Sequence, residues 1–240
     1  MLRVAVRSKV KIKKFSGAQM LFHWVYGISW ILLVLTGVTF LWRPDPGAAA
    51  VGLGPLLQGT VGQAARLVHR VAAIGLMVSP LLWLAGDTKT LWPDLKELLS
   101  FGINDVRYMA IAPLHYTFGK PALPPQGKYN GGHKVNFYAV ILTFVTFVVS
   151  GLTMWFGRGA VSDGTFQLMQ ILHSISFWGG LAMGLLHIYL TAIHPFTRRS
   201  LTAMTQGFVD LSYAKAEHSV WVEKEIAAGT AVLIEEATDR

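Results

Sequence analysis

Long apolar runs recur four times along the chain and predict four membrane-spanning helices. A helix rises about 1.5 Å per residue, so roughly 20 apolar residues cross a hydrocarbon core of about 30 Å. The predicted spans lie at about 18–42, 66–86, 135–156 and 167–194. Pro80 is expected to kink the second span, because proline removes a helical hydrogen bond.

The segments between these runs are polar or rich in turn-forming residues. Residues 43–65 are rich in Gly and Pro and predict an external loop. Within 87–134, WPDLKELLSFG predicts a short amphipathic surface helix, whereas APLHYTFGKPALPPQGKYNGGHK predicts an irregular loop. The predicted organisation is a basic N-terminus at 1–14, a membrane domain at 15–199 and a soluble C-terminal tail at 200–240. The predicted fold class is all-α, an integral membrane four-helix bundle.

Composition and charge support this interpretation. The chain is 52% hydrophobic and 14% charged, whereas a soluble domain is typically about 25% charged. The net charge of +8 could indicate a nucleic-acid partner, but the basic residues flank the apolar runs, as topology signals do. Lys and Arg number six in the N-terminus, six in the middle loop and five from Arg198 to the C-terminus, against three between Arg43 and Arg70 and one, Arg158, in the second outer connection. Both termini are therefore predicted to be cytoplasmic, and no nucleic-acid partner is expected.

Four histidines fall inside the predicted spans at two depths. His173 and His187 are fourteen residues apart, so on one helix they share a face and are separated by roughly 20 Å. His23 lies nine residues past Lys14, its inner charged flank, and matches His187 in depth. His69 opens the second span and matches His173 in the outer layer. The result is two pairs of histidines stacked across the membrane.

Histidine pairs without cysteine favour haem. The chain has no cysteine, which excludes disulfides, thiolate zinc sites, cysteine-ligated iron–sulfur clusters and covalent haem attachment. The simplest alternative is that the histidines only form interhelical hydrogen bonds. Two pairs at matched depths instead predict two b-type haems, each held between two imidazoles. Arg66 and Arg70 beside His69 are candidate partners for haem propionates, although they serve equally well as topology signals.

Several short segments resemble one family. They are FHW at 22–24, RLVH at 66–69, GKYNGGHK at 127–134, LH at 172–173 and LLHIY at 185–189. Their order and spacing resemble the cytochrome b (gamma) subunit of membrane-bound formate dehydrogenase, from about Lys14 to about Tyr213. The resemblance implies that His23 and His187 hold an inner haem and that His69 and His173 hold an outer one.

The resemblance also implies a quinone, either menaquinone or ubiquinone, beside the inner haem. Its site would include His187 and three residues of the GKYN segment, namely Asn130, Tyr129 and Gly127. His133 stands where members of that family have glutamine, and it is a candidate proton relay because imidazole titrates near neutral pH. His194, seven residues past His187, is a second candidate on the same face.

The implied function is that of a dihaem membrane anchor in an oxidoreductase complex of the bacterial cytoplasmic membrane. Electrons would come from a periplasmic iron–sulfur (beta) subunit, and through it from a molybdopterin or tungstopterin catalytic (alpha) subunit that oxidises formate. This chain would transfer them and reduce quinone. Three alternatives stay open: a cytochrome b subunit of a nickel–iron hydrogenase or another molybdopterin enzyme, a histidine-lined transition-metal transporter, and a purely structural anchor.

Overall fold

The computed structural model describes residues 8–41 and 59–237, which are mostly helical. The predicted end of the first span at Trp42 and most of the predicted loop at 43–65 lie outside the described residues. The α-helices of the described ranges are α1 Gly17–Leu41, α2 Gly59–Gly86, α3 Thr88–Leu99, α4 Ile103–Phe118, α5 Gly131–Phe156, α6 Asp163–Ile188, α7 Leu201–Gln206, α8 Leu211–Glu217 and α9 Ser219–Ala227. The strands are β1 Ser8–Lys13, β2 Phe208–Asp210 and β3 Leu233–Ala237.

Among the described residues, α1, α2, α5 and α6 are long and apolar enough to cross a membrane. Large apolar side chains on all four are exposed, including Leu35, Leu67, Leu142 and Leu186. A contiguous apolar surface of this kind is suited to lipid rather than to water. The chain is therefore a multi-pass membrane protein.

The observed helices extend beyond the predicted spans at their N-terminal ends. Helix α2 begins at Gly59, well before the predicted start near 66, and α6 begins at Asp163 instead of 167. Helix α5 begins at Gly131, so it includes His133, whereas the span predicted from 135 contained no histidine. At its C-terminal end α6 continues into a π-helical turn at Tyr189–Ile193.

The chain divides into two compact units. The helical unit consists of the described residues of Leu21–Thr88 and Leu142–Ala182, which are parts of the four long helices. The sheet unit consists of the described residues of Met1–Met20, Lys89–Ile141 and Met183–Arg240.

Within the helical unit, side chains pack the four long helices against one another. Tyr26 on α1 and Phe144 on α5 have ring centroids 6.4 Å apart. A Cβ on Gly75 of α2 would lie 2.7 Å from the Ser29 hydroxyl of α1, so this glycine permits a close approach of the two helices. A Cβ on Gly180 of α6 would be in ordinary van der Waals contact with Phe147 of α5, at 3.7 Å.

The chain is mostly helical, as the all-α prediction has it, but the sheet unit also contains three short strands that were not predicted. Strand β1 is the centre of a three-stranded antiparallel sheet with the order β2-β1-β3. Its sequence SKVKIK alternates polar and apolar residues, which is the period of a half-buried strand. Ile12 points into the core and is 1% exposed. Val209, Ala214 and Val222 are buried in the same core. The predicted cytoplasmic tail thus folds onto the basic N-terminal segment instead of forming a separate part.

The segment between α2 and α5 contains a second helix that the sequence analysis missed. Helix α3 includes most of the predicted amphipathic segment, but residues 112–118 of the predicted irregular loop belong to α4. Asp105 accepts a hydrogen bond from the backbone N–H of Gly102 at the start of α4. Gly119 ends the helix with a φ of 73°, a left-handed conformation that favours glycine. Pro113 and Gly119 were interpreted as loop residues, whereas one lies inside the helix and the other caps it.

Candidate haem site and buried polar network

The structure brings His69 and His173 together in the helical unit. His69 on α2 and His173 on α6 have ring centroids 6.4 Å apart and ring planes at 49°. Phe40 and Phe147 contact these rings edge-on, with centroids 5.4 Å from His69 and 5.0 Å from His173. The pair therefore lies in an apolar environment.

A hydroxyl group orients each of the two imidazoles. The Nδ1 atom of His69 lies 2.7 Å from the hydroxyl of Thr36, and Nδ1 of His173 lies 2.9 Å from the hydroxyl of Ser150. Each hydroxyl has one hydrogen and gives it to a backbone carbonyl four residues earlier in its own helix, at 2.7 Å for Thr36 and 2.5 Å for Ser150. The hydroxyls must then accept the Nδ1–H groups, so in each neutral imidazole the lone pair is on Nε2.

The spacing of the pair fits an iron atom bound between the two rings. The expected distance between the ring centroids is the sum of two metal–nitrogen bonds of about 2.0 Å and, for each imidazole, the distance from the ligating nitrogen to the ring centroid, which gives roughly 6 Å. The observed distance is 6.4 Å. Two imidazoles complete the coordination of a haem iron, because the porphyrin supplies the other ligands. Structural zinc takes four protein ligands. His69 and His173 therefore fit haem better than a bare metal ion.

The two arginines beside His69 are exposed on α2. The guanidinium of Arg70 lies 5.1 Å from the ring centroid of Trp155, which is a cation–π contact. The structure thus gives Arg70 a protein partner, and a propionate contact of Arg66 or Arg70 stays a prediction.

The histidines of the predicted inner pair belong to different units. His23 lies on α1 in the helical unit, and an added Cβ on Gly27, one turn later, would have open space among the described residues outside its own helix backbone. His187 lies in the sheet unit near the end of α6, directly before the π-helical turn. Such turns are common at functional sites. The pairing of His23 with His187 stays a prediction.

Asn130, predicted to contact quinone, caps helix α5. Its side-chain Oδ1 accepts a hydrogen bond of 3.0 Å from the backbone N–H of His133, and its Nδ2 donates one of 2.8 Å to the hydroxyl of Tyr108. Because a backbone N–H needs an oxygen acceptor, the orientation of the amide is fixed. The side chain is buried, and its –NH₂ group has a second hydrogen to offer a ligand.

The other two residues of the GKYN prediction lie beside Glu97, where Tyr129 is buried and Gly127 is half-buried. The backbone N–H of Tyr129 donates to Glu97 Oε1 at 3.0 Å, and a Cβ on Gly127 would overlap the same carboxylate. Burial raises the pKa of Tyr129 well above its ordinary value, so its hydroxyl stays protonated. Their direct contact with quinone stays a prediction.

The two predicted proton relays lie in the sheet unit. His133 is half-buried, and its ring centroid is 5.7 Å from that of His218. His194 is buried, with its ring centroid 5.6 Å from that of Tyr116. Both therefore lie against other protonatable groups of the unit, and their relay function stays a prediction.

A buried cluster around His218 was missed by the sequence analysis, which assigned this residue nothing. His218 Nδ1 donates to the Gly127 carbonyl at 2.9 Å, and its Nε2 accepts from Lys14 Nζ at 2.7 Å. Burial, and then the positive charge of Lys14, hold the pKa of His218 well below its usual value. Burial and the nearby Lys128 lower the pKa of Lys14 to about 7. No sequence signal joins these residues, because Lys14 and His218 are 204 positions apart.

A second missed feature is a line of hydrogen bonds that begins at Asn130. From Tyr108 it continues to the hydroxyl of Tyr116 at 2.6 Å and then to Glu217 Oε2 at 2.7 Å. Buried ion pairs flank it, with Lys134 Nζ 2.9 Å from Asp105 Oδ2. The sheet unit thus has a polar interior beside the start of α5.

Comparison with known proteins identifies the family. The family model described as prokaryotic cytochrome b561 matches residues 14–207. The chain belongs to the prokaryotic cytochrome b561 family. Membership in a cytochrome b family implies haem b, in agreement with the His69–His173 pair.

Curated relatives of this cytochrome b561 protein match nearly the whole chain. The formate dehydrogenase cytochrome b556 subunit of Haemophilus influenzae is 26% identical over 94% of this chain and 88% of that protein. The formate dehydrogenase cytochrome b556(fdo) subunit of Escherichia coli is 23% identical over 88% of this chain and 91% of its own length. The nitrate-inducible formate dehydrogenase cytochrome b556(Fdn) subunit of Escherichia coli is 23% identical over 83% of this chain and 84% of its own length. These relatives confirm the resemblance predicted from the GKYN segment and the histidine spacing.

Proposed function

We propose that this chain is the haem-binding membrane subunit of a respiratory formate dehydrogenase in the bacterial cytoplasmic membrane. It carries electrons inward from a periplasmic iron–sulfur subunit, which receives them from a molybdopterin or tungstopterin subunit, and it reduces quinone on the cytoplasmic side. Both termini are cytoplasmic in this proposal. The relatives named as formate dehydrogenase subunits support the choice of partner.

The observation that carries the proposal is the oriented histidine pair. His69 and His173 would hold one haem b, and Thr36 and Ser150 keep the Nε2 lone pairs of both imidazoles available for iron. Haem bound in this way supplies reversible one-electron transfer. The second haem b would be held by His23 and His187, as the matched depths of these residues predict.

The quinone would bind in the sheet unit beside Asn130. Because the cap fixes the amide, the second Nδ2–H of Asn130 can donate to a quinone carbonyl oxygen. His133, His187 and His194 belong to the same unit. This arrangement supports quinone reduction with protons drawn from the cytoplasm. Because electrons would enter from the periplasmic side and protons would be taken up on the cytoplasmic side, the reaction would generate a membrane potential.

The test is the haem content of purified variants. We expect two b-type haems per wild-type polypeptide by the pyridine haemochrome assay and one in His173→Ala. His115→Ala is the matched control, because His115 lies on α4 outside the spans, with its Nδ1 atom 2.8 Å from the Pro121 carbonyl. Two haems in the His173 variant would contradict the assignment, and metal without haem would indicate a transporter.

The catalytic partner is tested by co-purification. We expect the tagged chain to bring down subunits that support formate-dependent quinone reduction in isolated membranes. Hydrogen-dependent reduction with a nickel–iron partner would show that the same architecture serves a hydrogenase.

A further inference from the structure

We propose that Glu217 supplies one of the two protons taken up by the quinone, through the hydroxyls of Tyr116 and Tyr108. This inference rests on the proposed function, because it needs a quinone beside Asn130. Glu217 lies beyond residue 207, where the family match ends, so the match does not cover it.

The hydrogen-bonded line is continuous from the carboxyl group to the capping asparagine. Tyr116 OH lies 2.7 Å from Glu217 Oε2, Tyr108 OH lies 2.6 Å from Tyr116 OH, and Asn130 Nδ2 lies 2.8 Å from Tyr108 OH. The line joins helix α8, near the end of the chain, to helix α4 and to the start of α5. Each neighbouring pair is within the distance at which a proton can move along a hydrogen bond.

The direction of the line depends on the protonation state of Glu217. With an ionised carboxylate, Tyr116 donates to Glu217, Tyr108 donates to Tyr116, and Asn130 donates to Tyr108. With a protonated carboxyl, Glu217 donates to Tyr116, Tyr116 donates to Tyr108, and the hydroxyl of Tyr108 can donate to a quinone oxygen. Since an amide does not readily relay protons, the relay ends at Tyr108, and Asn130 serves to position the quinone.

The proton balance follows directly. A quinone becomes a quinol by taking up two protons and two electrons, and the electrons would come one from each of the two reduced haems of the proposed function. One proton passes from Tyr108 to a quinone oxygen, Tyr116 replaces it, and Glu217 replaces the proton of Tyr116. Glu217 is left as a carboxylate and is protonated again from the cytoplasm. The second proton needs another donor, for which His133 is the candidate predicted from the sequence.

Burial favours the neutral, protonated form of the Glu217 carboxyl group. Burial raises the pKa of its carboxyl group, while the hydrogen bond from Tyr116, the charges of His115 and Lys14, and the hydroxyl of Tyr108 oppose that rise. Burial also raises the pKa of both tyrosines above the ordinary value, so each stays a neutral hydroxyl that can pass a proton without storing charge. Around Glu217 the titratable groups are those of α4 (Tyr108, His115, Tyr116), Lys14 after β1, and Tyr213 and His218 in and after α8.

The same contacts would also be present if Glu217 only joined α8 to α4. Glu217→Gln separates the structural role from proton supply, because Gln keeps the shape and the hydrogen-bonding oxygen but cannot supply a proton. Tyr116→Phe removes the middle hydroxyl of the line. The matched controls are Tyr138→Phe, whose hydroxyl donates to the Leu99 carbonyl outside the line, and Glu223→Gln, an exposed acid of α9.

The first experiment is stopped-flow oxidation of the purified, haem-reduced full chain by decylubiquinone or menadione. We expect Glu217→Gln and Tyr116→Phe to slow the reoxidation of haem at least tenfold, since positioned proton transfer contributes about 10²- to 10⁴-fold. Haem content should stay at the wild-type value in both variants, and the two controls should react at the wild-type rate. Wild-type rates in both relay variants would overturn the proposal. A wild-type chain that lacks haem or does not react with quinone would instead reject the proposed function.

The second experiment does not depend on a reaction rate, and its refuting outcome is read from the wild-type chain alone. Infrared difference spectra of the wild-type chain are recorded with decylubiquinone, before and after electrochemical reduction. We expect loss of the C=O stretch of a protonated carboxyl group as the quinone is reduced, and this signal should be absent in Glu217→Gln but retained in Glu223→Gln. A wild-type spectrum without a carboxyl change would contradict the relay.

Discussion

Replacing Ser150 by alanine is expected to weaken haem binding at His173 while leaving helix α5 intact. Ser150 is 1% exposed, and its hydroxyl accepts the Nδ1–H of His173 at 2.9 Å. Alanine is a better helix former than serine, so the helix itself loses nothing. The variant therefore removes one hydrogen-bond acceptor from behind the imidazole.

The size of the effect follows from that missing acceptor. A buried N–H group without a partner costs about 1–3 kcal/mol. Loss of a hydrogen-bond partner behind a metal-ligating histidine typically lowers metal affinity by roughly 10- to 100-fold, which corresponds to about 1.4–2.7 kcal/mol. The cost of the unpaired N–H group and the expected loss of binding free energy are therefore of the same size. The imidazole also becomes a weaker electron donor, so the reduction potential of the haem at this site should rise.

The assay is the transfer of haem from the purified chain to excess apomyoglobin, combined with a redox titration. Ser150→Thr keeps a hydroxyl and should restore wild-type affinity. Thr153→Val, which removes a hydroxyl that donates to the Val149 carbonyl on the same helix, is the matched control. Unchanged haem affinity and an unchanged potential in Ser150→Ala would refute the hydrogen-bonded role of Ser150.

Three further predictions concern the stability of the sheet unit, measured as thermal unfolding in detergent. Asp105→Asn leaves the buried ammonium group of Lys134 without its counter-charge and should cost about 3–5 kcal/mol. Glu236→Gln breaks an ion pair whose carboxylate is 53% exposed and leaves Lys11 hydrogen-bonded to Gln206, so it should cost under about 1 kcal/mol, and a loss equal to that of Asp105→Asn would contradict the argument from carboxylate burial. Gly131→Ala places a Cβ 2.7 Å from the backbone oxygen of Asp105 and should cost about 1–3 kcal/mol, so a fully stable variant would be inconsistent with this contact. Because the pKa of Lys14 falls from 10.5 to about 7 on folding, the unfolded chain binds more protons between these values. The free energy of unfolding should therefore rise from pH 7 to pH 10 by up to about 1.4 kcal/mol per pH unit. Lys14→Met should flatten this rise, and an equal rise in that variant would show that the buried lysine is charged.

The long helices could be predicted because lipid imposes a simple rule on sequence. A bilayer requires about 20 apolar residues in each span, and the uncharged runs around His23 and His173 satisfy it. The pairing of His69 with His173 could also be predicted from their matched depths in the membrane, because charged flanks mark the ends of each span. The structure brings these two side chains together.

The partners of the histidines could not be predicted, because depth does not reveal how a helix is rotated about its axis. Serine and threonine are frequent on these helices, and only packing selects Thr36 for His69 and Ser150 for His173. The polar network is still harder to predict, because Tyr116 and Glu217 are 101 positions apart in the sequence.

The sheet was missed although its signal is present. The alternation in SKVKIK indicates a strand, but the lysines were interpreted only as a topology signal. Both interpretations are physically compatible, since a basic strand can face the cytoplasm while Ile12 fills the core. Helix α4 was missed because its proline and its capping glycine were both assigned to a loop.

If His69 and His173 hold a b-type haem between two imidazoles, the axial ligands can be read from near-infrared magnetic circular dichroism of the oxidised, purified chain, because the charge-transfer band of low-spin haem identifies them. We expect the band of bis-histidine ligation, reduced in intensity in both His69→Ala and His173→Ala. A histidine–methionine band, a high-spin haem, or a bis-histidine band unchanged in these variants would contradict this assignment.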